Sequence, residues 1–247
     1  MLCHYDLKSK EAVSPAGWKI AIIATSHALM GGTGEPTGVS LEEFTTPYYA
    51  FVNEGADVDV FSIAGGKVPI DPRSLKPKGE AEESVERYLS DASAQASLAS
   101  TEPVTEIDVS DYDAVFLPGG HGTMWDVPEN KGLSNVVAGA LDSGRVVGAV
   151  CHGPAGLISA KYPDGTPVVR GKKIAGFSNS EEDAAGHTAT VPFLRERRLK
   201  ELGADYQAGP DFKPFAVRDG LLITGQNPAS AQATVDHMIE ALKENKN

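Results

Sequence analysis

The sequence predicts an α/β fold, a mainly parallel sheet covered by helices on both faces. Three observations predict it. Short continuous apolar runs, Trp18–Ala24, Ala114–Leu117 and Val146–Val150, read as strands buried on both sides. Between them, apolar residues recur at helical spacing, most clearly at Leu133, Val136, Val137, Ala140 and Leu141. With 247 residues, 41% apolar and 23% charged, the chain can bury a full core as one domain.

Residues 1–17 read as an N-terminal extension ending at Pro15-Ala16-Gly17, and residues 18–247 as a single α/β domain. The first strand leads to a glycine-rich stretch, Gly31-Gly32-Thr33-Gly34-Glu35-Pro36-Thr37-Gly38. It lacks both the G-x-G-x-x-G order and the closing Lys-Ser/Thr of a P-loop, which argues against phosphate binding. Leu41, Phe44, Tyr48, Phe51 and Val52 share one side of a helix from Leu41 to Asn53, and Asp57–Ile63 is the next strand. The polar segment from Asp71 to Thr105 reads as an insertion over the sheet, with a helix marked by Val85, Tyr88 and Leu89. Shorter strands are expected near Ile174–Phe177, Ala216–Arg218 and Leu221–Thr224, with a helix near Pro192–Leu202. Ser230 is placed to cap a terminal helix whose Val235, Met238, Ile239 and Leu242 face inward.

A formal charge of −12 excludes partners bound through a phosphate backbone, such as nucleic acid. The densest basic cluster, Arg195 to Lys200, is interleaved with Glu196 and reads as a solvated helix face. Two cysteines, Cys3 and Cys151, make no disulfide framework and no C-x-x-C site, which fits a reducing compartment. The polar first ten residues do not read as a signal peptide, and no window approaches the roughly 20 apolar residues of a membrane span. A cytoplasmic protein without a membrane partner is expected.

The chemistry concentrates where the third apolar run ends, at Val150-Cys151-His152-Gly153-Pro154. Gly153 and Pro154 break the strand, so the thiol projects from the carboxyl edge of the sheet, where open α/β sheets place their sites. Ala155 to Ile158 reads as the first turn of a helix, whose positive end predicts a thiolate with a lowered pKa. His152 adds a positive charge or a proton relay. A second loop, Gly119-Gly120-His121-Gly122, shares this edge, and its glycines leave backbone N–H groups open to an oxyanion. Glu42 and Glu43 are equal carboxylate candidates by periodicity alone. His4, His27, His187 and His237 show no metal-ligand spacing, so neither a metal nor a cofactor is expected.

These motifs resemble the ThiJ/PfpI superfamily, and within it the heat-shock protein 31-like branch of glutathione-independent glyoxalases (glyoxalase III). The matching segments are Thr37-Gly38-Val39 leading to Glu43 and Pro47, Asp71-Pro72-Arg73-Ser74 and Gly119-Gly120-His121-Gly122-Thr123. They continue with Ala149 to Pro154, Gly176-Phe177-Ser178-Asn179-Ser180-Glu181-Glu182 and Thr224-Gly225-Gln226-Asn227-Pro228-Ala229-Ser230. The likeness spans about residues 18 to 243.

The resemblance implies a flavodoxin-like, class I glutamine-amidotransferase-like sandwich and a homodimer. It places the nucleophile on Cys151, its histidine on His152, the carboxyl that meets the sulfur on Glu43, and the acidic partner of the histidine on Glu182, with Glu181 as neighbour. Gly120 and His121 would line the substrate and oxyanion pocket. The implied activity is cofactor-free conversion of methylglyoxal and related 2-oxoaldehydes to lactate-type 2-hydroxy acids. A holding chaperone, a deglycase acting on glycated proteins or nucleotides and, less favoured, a cysteine peptidase or amidase stand as alternatives.

Overall fold

The computed structural model describes residues 17–77 and 79–245, so Cys3 and the expected extension, apart from Gly17, lie outside the described residues. β1 (Lys19–Ala24), α1 (Leu41–Asn53) and β2 (Asp57–Ser62) follow the first apolar patterns. After them come α2 (Glu83–Ser90), α3 (Ala92–Ala99) and the short β3 (Glu102–Pro103). β4 (Ala114–Leu117), α4 (Thr123–Asp126), α5 (Lys131–Asp142) and β5 (Val146–Val150) form the centre of the molecule. The chain continues through β6 (Lys173–Ile174), α6 (Asn179–Ala184), α7 (Arg195–Glu201) and β7 (Asp205–Tyr206). It ends with β8 (Ala216–Asp219), β9 (Leu222–Gly225) and α8 (Ala231–Asn245).

Seven strands form one sheet in the order β3-β2-β1-β4-β5-β9-β8. Only β8, at the edge, runs antiparallel to its neighbour. Alternation along each strand divides the core in two. Ile20 and Ile22 face Phe44 and Phe51 of α1 and Val235 and Met238 of α8. Ala21 and Ile23 face the opposite layer, with Leu133 and Val137 of α5 and Leu199 of α7. Both faces of the parallel strands are therefore covered, as the continuous apolar runs require.

Three local expectations change. The segment from Asp71 to Thr105 is no simple insertion: it brings two helices and then β3, which extends the sheet beside β2. The expected strand at Ile174–Phe177 shrinks to β6, which pairs with β7 outside the main sheet. Gly176 and Phe177 instead run past the end of β5, where the Phe177 amide donates to the Cys151 carbonyl at 2.9 Å. Ser230 sits in a 3-10 turn, Pro228–Ser230, and its hydroxyl accepts from the Phe215 amide at 3.0 Å and donates to Asn227 Oδ1 at 2.9 Å.

The two loops at the carboxyl edge touch through a glycine. A Cβ on Gly153 would lie 2.1 Å from the Leu117 carbonyl oxygen, a rigid backbone atom at the end of β4. Gly153→Ala should therefore push the loops apart and destabilise the fold by about 1–3 kcal/mol. A lowered melting temperature checks this; an unchanged one would mean that the loops can separate freely.

Candidate functional site

Cys151 occupies a left-handed backbone position, φ 57°, directly after β5. Such a conformation costs a non-glycine residue about 1–3 kcal/mol and persists only where the surroundings hold it. Here the Cys151 amide donates to the Gly225 carbonyl at 2.9 Å, and its own carbonyl accepts from Phe177. The bend turns the side chain away from the strand direction and into a cavity of about 320 Å³ at the carboxyl edge.

His152 is 1% exposed, and its Nδ1 lies 3.2 Å from Cys151 Sγ. Its Nε2 lies 2.9 Å from Glu182 Oε2. Burial works against the charge on Glu182, but hydrogen bonds from His121 and His152 hold its carboxyl well below the usual carboxylate range. An ionised carboxylate only accepts, so His152 Nε2 carries the proton and Nδ1 offers its lone pair to the thiol. Burial, followed by the neighbouring His121 and Arg195, pushes the His152 imidazole well below the usual histidine range, leaving it neutral.

On the other side stands Glu43, fully buried in the first turn of α1. Its Oε2 accepts from the Gly119 amide at 2.9 Å, and Oε1 has no hydrogen bond of full geometry. Burial pushes Glu43 up to about 8, against the opposing pull of the Cys151 thiol, the Ser40 hydroxyl and the Gly119 amide. Near neutral pH it keeps its proton and can donate. Glu42, one residue earlier, points to a separate groove between α1, α2 and the start of α8. Burial thus separates two carboxylates that periodicity leaves equal.

The thiol departs from its expected state. Burial, then the Glu43 carboxyl, push Cys151 well above the usual thiol value, with Arg195 opposing. The segment after it is a five-residue 3-10 turn, Gly153–Leu157, too short to offset the loss of water around the sulfur. At rest the site holds a thiol, a neutral imidazole, a protonated Glu43 and an ionised Glu182.

Residues 36–241 match the DJ-1/PfpI family. The chain belongs to that family. It is 35% identical to the glutathione-independent glyoxalase HSP31 of Saccharomyces cerevisiae, over 91% of this chain and 98% of that one. It is 34% identical to glyoxalase 3 of Candida albicans, again over 91% and 98%. The crystal structure of glyoxalase III from Candida albicans superposes with a TM-score of 0.83 at 30% identity, covering 92% of this chain and 98% of the other. That of the rapid encystment protein of 24 kDa from Francisella tularensis gives 0.87 at 35% identity, with 91% and 99% covered.

In this DJ-1/PfpI chain the neighbouring acidic residues also divide. Glu181 closes a capping box with Ser178 at the start of α6, while Glu182 reaches the histidines. His121 lines the cavity, but its Nε2 lies 2.9 Å from Glu182 Oε1 and its Nδ1 lies 3.4 Å from Arg73 Nη2. Both nitrogens are engaged, so the ring braces Glu182 and is not free to hold an alkoxide. Gly120, at φ 100°, lies so close to Gly38 that a Cβ would come within 2.2 Å of its carbonyl oxygen. Among the described residues, the amides of Gly120 and His152 have no acceptor, and both residues line the cavity.

Three contributors escape the sequence reading. His121, His152 and Glu182 place their ligating atoms within 4.8 Å of one another, compact enough for a metal ion, although the three are far apart in the chain. Arg195 is 3% exposed, which corrects the solvated-face reading of its cluster; its guanidinium donates to the Phe177 carbonyl behind Cys151. Arg73 is clamped by Asp71, with Nε to Oδ1 at 2.9 Å, and its Nη1 donates to His187 Nε2 at 2.6 Å on the cavity wall. No spacing rule links these positions. A buried arginine within a charged run has no signature before the fold exists.

Glu43 also links stability to pH. Its ordinary value is 4.5 and its folded value about 8, so the folded state holds a proton that the unfolded chain releases between them. The stabilisation this group supplies is fully present below 4.5 and is lost as pH rises through 8. The melting temperature should therefore fall more steeply between pH 5 and pH 9 in the wild type than in Glu43→Gln. Parallel curves would show that Glu43 is ionised in the fold.

Proposed function

We propose that this protein is a glutathione-independent glyoxalase, an enzyme that converts methylglyoxal and related 2-oxoaldehydes, with water, to 2-hydroxy acids. One observation carries the reading: a thiol stands between a neutral imidazole that can take its proton and a carboxyl that keeps its own. The glyoxalase names of the yeast and Candida relatives support it.

Cys151 Sγ attacks the aldehyde carbon C1 while His152 Nδ1 takes the thiol proton. The Gly120 and His152 amides hold the alkoxide until His152 returns the proton to it, giving a hemithioacetal. His152, neutral again, removes the hydrogen on C1 as Glu43 donates its proton to the C2 oxygen, and an enediol forms. The histidine proton then passes to C2 while Glu43 recovers a proton from the C1 hydroxyl. C1 has been oxidised and C2 reduced within one molecule, as a 2-hydroxy thioester. Water attacks C1, the C–S bond breaks and the thiol is restored. No outside electron acceptor is required.

The reactive thiol must stay reduced, which favours a cytoplasmic setting. Among the described residues no helix is long and apolar enough to cross a membrane.

Purified protein given methylglyoxal without glutathione should produce lactate. Cys151→Ser should abolish this while keeping the melting transition; turnover above about a tenth of wild type would remove Cys151 from the route. Glu182→Gln should lower kcat about 100-fold or more, because the amide disturbs the proton placement on both histidines.

Exhaustive chelation should leave turnover unchanged. Added zinc should lower it reversibly, by competing with protons for His121 and His152. Recovery of activity that depends on metal would overturn the cofactor-free route.

A further inference from the structure

The chemistry above leaves one conspicuous group of residues unused. Glu181, Gln226, Asn227 and Ser230 are all fully buried, and each of them bonds the loop between β7 and β8. Glu181 Oε1 accepts from the Phe212 amide at 2.7 Å and from Asn227 Nδ2 at 2.8 Å. Gln226 Oε1 accepts from the Gly209 amide at 2.7 Å, and Asn227 Nδ2 also donates to the Lys213 carbonyl at 2.8 Å. Ser230 holds the Phe215 amide, and Ser180 Oγ donates to Asp211 Oδ1 at 2.7 Å from outside. A surface loop rarely receives so many buried polar partners, because each of them must give up water to serve it.

At the centre of this pinned loop stands Phe212. Its φ of 56° makes it, with Cys151, one of two non-glycine residues at positive φ among the described residues. The residue is 49% exposed and lines the cavity of Cys151. Backbone strain works against folding and a half-exposed ring returns little in exchange, so this placement is not explained by stability. The ring meets Phe177 edge to face, with centroids 6.0 Å apart, and Phe177 leans on the His152 ring at 4.8 Å. An aromatic wall thus leads outward from the nucleophile. The cavity of about 320 Å³ has far more room than a three-carbon oxoaldehyde fills.

We propose that Phe212 is a specificity-determining residue, seating the substituent on C2 of the substrate against Phe177, and that Glu181 is the positioning residue that fixes it there. The preferred substrates are 2-oxoaldehydes with a bulky apolar substituent, above all an aromatic ring, which packs against two aromatic edges better than hydrogen or methyl does. This inference rests on the glyoxalase reading for its chemistry, but the wall itself can be tested without turnover.

The first measurement is kcat/KM for phenylglyoxal and for glyoxal in the wild type, Phe212→Ala, Phe212→Gly and Glu181→Gln. The phenylglyoxal-to-glyoxal ratio should exceed one in the wild type and fall at least tenfold in both Phe212 variants, mainly through KM. It should fall to a smaller extent in Glu181→Gln. Phe212→Gly relieves the backbone strain, so it should lose selectivity while melting at or above the wild-type temperature, an outcome that a purely structural role for Phe212 does not give. The second measurement is calorimetric binding of mandelate and lactate, the corresponding 2-hydroxy acids. The wild type should bind mandelate more tightly, and Phe212→Ala should erase the difference. If no 2-oxoaldehyde is consumed but this preference is present and lost in the variant, the glyoxalase reading fails and the wall stands. An unchanged substrate ratio in Phe212→Ala, or equal or undetectable binding of both acids by the wild type, overturns the proposal.

Discussion

A single ionised carboxylate, placed between two imidazoles, governs the electrostatics of this site. Glu182 accepts from His121 on one oxygen and from His152 on the other, both at 2.9 Å. With both oxygens satisfied by ring N–H groups, a charge can persist in a place that otherwise penalises it. That charge sets the tautomer of His152, and the tautomer decides whether Nδ1 faces the sulfur as an acceptor or as a donor. Without Glu182 the histidine would have no fixed proton arrangement, and the thiol beside it no defined base.

Around that charge Cys151, His152 and Glu43 are kept neutral, and desolvation is the cause. Burial raises Cys151 and Glu43 and lowers His152, in each case toward the uncharged form. The three groups therefore rest matched in charge, with the Arg195 guanidinium behind Cys151 opposing the upward shift of the thiol. The arrangement differs from a preformed thiolate held by a helix terminus. Here the resting sulfur keeps its proton.

Parallel topology explains how residues so distant in sequence meet. β1, β4, β5 and β9 all end at the same edge of the sheet, so the segments that follow them converge there. The first of these brings Glu43, the second Gly119 and His121, the third Cys151 and His152, and the fourth Gln226 and Asn227. Glu181 and Glu182, adjacent on α6, then serve two different tasks. One is bonded to the loop that carries Phe212, the other to the histidines.

Helix α1 and strands β1, β4 and β5 were legible in the sequence because their apolar period is a local property, set by backbone geometry and little altered by neighbours. The strand-to-turn position of Cys151 was legible for the same reason: Gly153 and Pro154 cannot continue a strand. Long-range quantities were not legible. Glu42 and Glu43 differ only in which side of a helix turn is buried, Glu181 and Glu182, both buried, only in the partners they meet, and α6 is too short to carry a period. Arg195 looks like its solvated neighbours until α7 packs its first turn inward. The state of the thiol depended on water excluded by groups from several separate segments, which no single segment encodes. Chain-local sterics wrote the elements into the sequence, whereas burial and charge pairing, which act through space, were decided only by the tertiary structure.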